Sequence, residues 1–262
     1  MNKIILNWKT NMQTFQIEKF LSGVDKYLPD NYIILPSYLG LFNLIKYGNK
    51  KVYLSQIGLQ AVAPLAYGDY MGSASFLEAK ELGMSYIMVN HYNSFEEAPK
   101  LNNYKNQNLR LKMLLEYGMK PIVILGAQIT DLISEISPAH DLQLVIQTEL
   151  KRLFDGIEFV NDSEVVFVYM PYFYLRNRVH LSNEVIKQHL SIVEKELIKF
   201  FGEFPVKNNC AVIYGGLIAD KENYSLKEHG LFLDDGHDLD QVFYWLDFAN
   251  IKKTQERANE LK

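Results

Sequence analysis

The chain has 262 residues, 48% hydrophobic, 13% aromatic and 22% charged, with a formal net charge of −4 and one cysteine, Cys210. This supplies a sizeable core and excludes disorder over the whole chain. The lack of a basic surplus argues against a nucleic-acid partner, and one cysteine excludes an internal disulfide framework or a cysteine zinc cluster.

The predicted elements alternate along the whole length. Strands are expected at 3–7, 31–36, 52–57, 85–90, 121–125, 164–169, 210–214 and 230–233. Most are unbroken apolar runs such as Ile-Val-Ile-Leu and Val-Val-Phe-Val, which suit a parallel sheet buried on both faces. Between them lie amphipathic stretches. The 108–117 segment carries Leu111, Leu114, Leu115 and Tyr117 and stops at Gly118. The 182–201 segment places Val185, Ile186, Leu190, Val193, Leu197, Phe200 and Phe201 on one helical stripe. Ser182 or Asn183 is placed to cap it, with Glu184 in the first turn. The apolar run 165–175 contains Pro171 and is too short to cross a bilayer. The stretch after Met1 is too short for a secretory signal. The expectation is a soluble cytoplasmic protein with no membrane contact.

Eight strand–helix repeats without a linker imply one α/β domain over 1–262, a (β/α)₈ barrel. An open doubly wound sheet would announce a nucleotide with glycines after its first strand, but Asn-Trp-Lys-Thr-Asn follows here. In a barrel, function stands at the C-terminal strand ends. Those residues are Asn7 and Lys9, Gln60, His91, Gly126, Met170, Gly215 and Gly216, and Asp234 and Asp235. Each has a plain structural reading beside the functional one. Asn7 caps a strand end or lines a pocket, Lys9 is a solvated or a pocket lysine, and His91 is a hydrogen-bonded core histidine or a functional one. Gly215-Gly216 makes a tight turn or lets an anion approach the backbone. The run Asp234-Asp235-Gly236-His237-Asp238 holds potential metal ligands, but adjacent strand residues face opposite ways, so it reads as a capped or solvated loop. The tail 252–262 reads as a solvated helix end.

These strand-end motifs resemble triosephosphate isomerases. The family's Asn-Trp-Lys-Met-Asn is matched by Asn7-Trp8-Lys9-Thr10-Asn11, and its third-strand loop by Gly68-Asp69-Tyr70-Met71-Gly72-Ser73. Residues 77–89 are similar to the run before its catalytic histidine, which falls on His91. Gly118-Met119-Lys120-Pro121-Ile122 and Tyr214-Gly215-Gly216 match its fifth- and seventh-strand patterns. The resemblance implies catalytic roles for Asn7, Lys9 and His91. It also implies a small-molecule ligand, phosphorylated or not, no cofactor, and a homodimer formed through the 67–73 loop, from Tyr67 to Ser73, with Tyr70 and Met71 as docking groups.

The departures fall on the chemistry. The family's glutamate base, in Tyr-Glu-Pro, is replaced in Tyr169-Met170-Pro171, and a thioether cannot take a proton from carbon. The lid's Gly-Thr-Gly becomes Arg176-Asn177-Arg178, and the serine after Tyr-Gly-Gly becomes Leu217. The eighth-strand glycines become Asp234-Asp235, and two further glutamates become Asn93 and Ala127. Removing a positioned base forfeits roughly 10²–10⁴ in rate. A carboxylate about 5 Å from a phosphate costs several kcal/mol at an effective dielectric of about 20. Arg176 and Arg178 would offset this only in a rearranged site. The expectation is a degenerate site with little or no isomerase activity, open to a different metabolite. The alternatives are an active isomerase with another base, from the eighth-strand aspartates or Glu164, and a non-catalytic interaction protein.

Overall fold

The computed structural model describes residues 3–24, 28–47, 52–126, 138–158, 163–217 and 230–233. The strands are β1 (Ile4–Asn7), β2 (Tyr32–Leu35), β3 (Gly58–Leu59), β4 (Tyr86–Val89), β5 (Lys120–Leu125), β6 (Val165–Tyr169), β7 (Cys210–Tyr214) and β8 (Leu231–Leu233). The helices are α1 (Thr14–Gly23), α2 (Tyr38–Tyr47), α3 (Phe76–Glu81), α4 (Tyr92–Glu97), α5 (Tyr104–Glu116), α6 (Pro138–Leu153), α7 (Tyr172–Arg176), α8 (Asn183–Phe201) and α9 (Glu203–Asn209). All strand pairs are parallel, in the order β2-β1-β8-β7-β6-β5-β4-β3. A parallel bridge from Ile34 to Ile57 brings the two ends of that sheet together. The result is the expected eight-stranded parallel barrel ringed by helices.

Two apolar layers follow from the two-residue strand period. Ile5, Ile33, Ile122, Ile124, Val166, Val168, Ile213 and Phe232 form a cluster made almost wholly of strand residues, the barrel interior. Their neighbours Leu6, Ile34, Val123, Leu125, Val165 and Phe167 point outward and pack with Ile17, Phe20, Leu111, Leu150 and Leu190 of the helices. Burying each such side chain contributes about 1.5–3 kcal/mol.

One expected strand is corrected. Residues 52–57 do not extend: Leu54–Gln56 is a 3₁₀ turn and the strand is only Gly58–Leu59. The buried Gln56 amide donates to the carbonyls of Leu28 and Pro29 at 3.2 and 2.8 Å, and its oxygen accepts from the Tyr53 N–H at 3.2 Å. Those bonds curl the segment. Gly58 then passes so close to β4 that a Cβ would lie 2.6 Å from the Tyr86 carbonyl. The expected helix at 108–117 begins earlier, at Tyr104, because the Asn103 side chain caps it by accepting from the Asn106 N–H at 3.0 Å.

The N-terminal floor of the barrel is polar. The Glu164 carboxylate accepts from Tyr86 Oη at 3.0 Å and Lys120 Nζ at 2.6 Å, and Lys3 Nζ lies 3.4 Å away. This places Glu164 at the start of β6, the opposite end from Met170, and removes it as a replacement base.

Candidate functional site

The C-terminal strand ends are held by ladder bonds that continue past the strands. Trp8 N–H donates to the Leu35 carbonyl at 3.0 Å, Met170 N–H to Leu125 at 2.8 Å and Gly215 N–H to Tyr169 at 2.8 Å. The candidate residues therefore stand on the barrel rather than on loose loops. Asn7 is buried, and its Oδ1 accepts from the Lys9 N–H at 3.4 Å. Lys9 is half-buried with φ 47°. A lysine in the left-handed region is strained, and such strain collects at functional sites. The Gln60 amide braces this turn, donating to the carbonyls of Lys9 and Leu35 at 3.1 and 2.9 Å.

His91 lies two residues past β4 and caps α4, its Nδ1 accepting from the Asn93 N–H at 3.3 Å. An accepting Nδ1 puts the proton of the neutral ring on Nε2. The ring is 3% exposed, stacks on Tyr92 with centroids 4.6 Å and planes 25° apart, and lies 6.2 Å from the Phe232 ring. The neighbouring Asn90, with φ 70°, donates from Nδ2 to the Ile124 carbonyl at 2.7 Å. The Oδ1 atoms of Asn90 and Asn93 are buried without a hydrogen-bond partner.

Met170 has no exposed surface and belongs to the interior cluster. A Cβ on Gly215 would lie 3.5 Å from its Cε and 2.6 Å from Val168 Cγ1, so glycine lets β7 close onto this methionine. Gly216 is equally constrained, a Cβ there lying within 2.4 Å of the Tyr214 ring carbon Cζ. Met170, Gly215, Phe232 and His91 thus form one patch over the barrel interior, and Tyr92 and Leu175 pack against the same cluster. Arg176 and Arg178, at the end of α7 and beyond it, are solvent-exposed, and Arg178 has φ 54°. Phe173 is 46% exposed, whereas Tyr172 and Tyr174 are half-buried. Asp234, Asp235, Ala127 and the tail 252–262 lie outside the described residues.

Sequence reasoning missed several residues around this patch. Glu149 of α6 is fully buried and accepts the Gly126 N–H at 2.5 Å. The signal was a carboxylate inside the apolar stripe of Ile146, Leu150 and Leu153. Tyr169 bonds His189 Nδ1 at 2.8 Å behind Met170. Burial, then the charges of Tyr214, Tyr174 and Glu149, hold the Tyr169 phenol well above its ordinary range. Burial lowers the His189 pKa, favouring the neutral ring. Tyr172 Oη donates to Glu96 at 2.7 Å. Burial first, then the Glu96 hydrogen bond, raises its pKa, which keeps it a neutral donor.

Among the described residues no group of three or more His, Cys, Asp or Glu could hold a metal ion. The arrangement offers a lysine, an imidazole and amide oxygens beside an apolar wall. Such groups can bind and polarise a small polar molecule. The buried carboxylates among the described residues, Glu149 and Glu196, stand on α6 and α8, and Glu149 is turned to the Gly126 N–H.

A family model described as triosephosphate isomerase matches residues 2–229. The chain is 25% identical over 222 residues to the triosephosphate isomerase of Natranaerobius thermophilus, covering 81% of this chain and 80% of that protein. It is 25% identical over 234 residues to that of Lawsonia intracellularis, covering 86% and 87%. Over 222 residues it is 22% identical to that of Mycoplasmoides gallisepticum, covering 81% and 82%.

Proposed function

Because the chain belongs to the triosephosphate isomerase family, we propose that it keeps the family scaffold and its Asn7–Lys9–His91 group but not the carbon-acid chemistry, and acts as a ligand-binding barrel with little or no isomerase turnover. The observation that carries this is Met170, fully buried at the end of β6 in the apolar layer beside Gly215. A thioether there neither accepts a proton nor tolerates a carboxylate neighbour cheaply, since burying an unpaired charge is costly.

Lys9 and His91 supply the cation and the hydrogen-bond donor that would orient a carbonyl or an anionic group. Tyr92 and Leu175 supply apolar surface. This composition suits a small metabolite with one polar end, phosphorylated or not. Asn7 holds the Lys9 turn in place. Gly215 serves close packing, because its N–H is already given to Tyr169.

A second copy is the proposed partner, and the cytoplasm the proposed compartment. Tyr67 and Met71 of the third-strand loop are 80% and 96% exposed and supply apolar groups to the proposed contact face. The α2 residues Leu39, Phe42 and Ile45 are exposed too, and Tyr38 Oη ties α2 to both ends of the segment carrying the loop, donating to the Ala61 carbonyl at 3.1 Å and accepting from the Ala74 N–H at 3.3 Å. No helix of the described residues is long and apolar enough to cross a membrane.

The deciding experiment is turnover of glyceraldehyde 3-phosphate by the purified protein. Loss of the base predicts a rate lower by roughly 10²–10⁴ than an ordinary family member, or about 3–5 kcal/mol of barrier. A rate within about tenfold of ordinary would overturn the proposal and point to another base. The substitution Met170→Glu is expected to raise whatever residual rate exists.

A further inference from the structure

We propose that the guanidinium of Arg110 and the hydroxyl of Tyr70 hold a small oxyanion, of the phosphate or carboxylate class, between α5 and the third-strand loop and apart from the strand-end group. Arg110 stands on α5 and is only 5% exposed. Its Nε donates to the Val62 carbonyl at 2.7 Å and its Nη2 to the Leu101 carbonyl at 3.1 Å. These bonds pin the guanidinium between the segment that follows β3 and the turn that precedes α5. Nη1 is buried without a hydrogen-bond partner, so both of its N–H groups are unused. The charge is uncompensated as well, since among the described residues Arg110 enters no ion pair. Burial pushes its pKa down to about 10, and the groups that act the other way are the phenols of Tyr70 and Tyr38. The side chain is still a cation at neutral pH, where a phenol is no counter-ion. A desolvated cation that lacks both a counter-charge and an acceptor is costly, and one bound anion supplies both. The two phenols differ in what they offer. The Tyr38 hydroxyl is already engaged, donating to the Ala61 carbonyl at 3.1 Å and accepting from the Ala74 N–H at 3.3 Å. The Tyr70 hydroxyl has no hydrogen-bond partner among the described residues, and the residue is half-buried. Its ring is set against Gly68, where a Cβ would lie 2.9 Å from Cε2, and its N–H donates to the Gly68 carbonyl at 2.9 Å. A guanidinium from within and a phenol from the solvent side present donors only, the complement of an oxyanion. Neither Met170 nor the strand-end group takes part, so the site stands whether or not turnover is lost.

The test titrates the full chain with inorganic phosphate at constant ionic strength, with chloride making up the balance. Calorimetry is expected to detect saturable phosphate binding that persists in Lys9→Met, which removes the cation of the strand-end group. On that background Arg110→Met is expected to weaken binding at least about tenfold and Tyr70→Phe about fivefold, for the loss of a charged and of a hydroxyl donor. In the unaltered chain phosphate is expected to slow hydrogen exchange at the Ala63 and Leu101 amides, which bond to the Ala74 and Ala98 carbonyls next to the two anchors of the guanidinium. The α8 amides are expected to stay unchanged. If Arg110→Met does not fold, this exchange and Tyr70→Phe decide. The site is overturned by absence of saturable binding, by binding that Lys9→Met abolishes, by binding that either Arg110→Met or Tyr70→Phe leaves unweakened, or by chloride slowing exchange equally. Stability that rises with protein concentration and is indifferent to phosphate overturns it too, by assigning the counter-charge to a second copy.

Discussion

At Gly126 three demands meet in one residue. Its φ is +85°, its N–H is taken by a buried glutamate and its carbonyl holds Tyr172. A Cβ there would lie 2.9 Å from the Met170 carbonyl and 3.1 Å from the Tyr169 ring. Gly126→Ala is expected to lower stability by about 2–3 kcal/mol, read from thermal unfolding. Glu164, at the other end of the barrel, carries a different prediction. Burial pushes its carboxyl up, but the Lys120 hydrogen bond, the Lys3 and Lys120 charges and the Tyr86 hydroxyl hold it below its ordinary 4.5. A carboxyl depressed by folding stabilises above its unfolded pKa, and that contribution is lost as pH falls through the folded value. Glu164→Gln should therefore cost about 2 kcal/mol near pH 7 in urea unfolding, with the difference from wild type shrinking below pH 4.5. At this scale the sequence exposes Asn7, Lys9, His91 and Met170 because they fall at strand ends. It hides Tyr172 and Glu96, whose partnership joins residues 76 positions apart and leaves no local pattern.

The elements that sequence reads well are those with redundant signals. In α8 Ile186, Leu190, Val193 and Leu197 of the expected stripe are buried, Val185 and Phe201 are half-buried and Phe200 is exposed, and Ser182 caps the helix by accepting from the Val185 N–H at 3.4 Å. Ser182→Ala should cost about 1 kcal/mol in thermal unfolding. The same helix also buries His189 and Glu196, which no apolar stripe foretells. Glu196 is accommodated because Gln143 and Gln147 of α6 each donate to it at 2.8 Å and Lys199 pairs with it at 2.5 Å. Burial raises the Glu196 carboxyl, yet the Lys199 and glutamine hydrogen bonds leave its pKa below normal. Elements with one weak signal are misread. The 52–57 run has strand-like composition, but Gln56 diverts its hydrogen bonds into the 28–29 turn. The short helices α7 and α9 offer too few turns for a period to emerge.

For the whole molecule, the repeated strand–helix order and the continuous apolar strands make the barrel legible, since few architectures bury a parallel sheet on both faces. What surrounds the barrel is less legible. The apolar surface of Tyr67, Met71, Leu39, Phe42 and Ile45 is a property of folded exposure and not of spacing. If a second copy covers it, Met71→Lys should turn a sedimenting dimer into a monomer at micromolar concentration while far-ultraviolet dichroism stays unchanged. A monomeric wild type would overturn the proposed assembly. Met71 and Met170 also stand at opposite extremes of contact with water, 96% and 0% exposed. Peroxide converts an accessible thioether into a polar, chiral sulfoxide that reductases can restore. Mild oxidation is thus expected to reach Met71 before Met170 and to spoil the apolar character of the 67–73 loop. The order in which the two methionines gain an oxygen then separates loss of the proposed contact from opening of the fold.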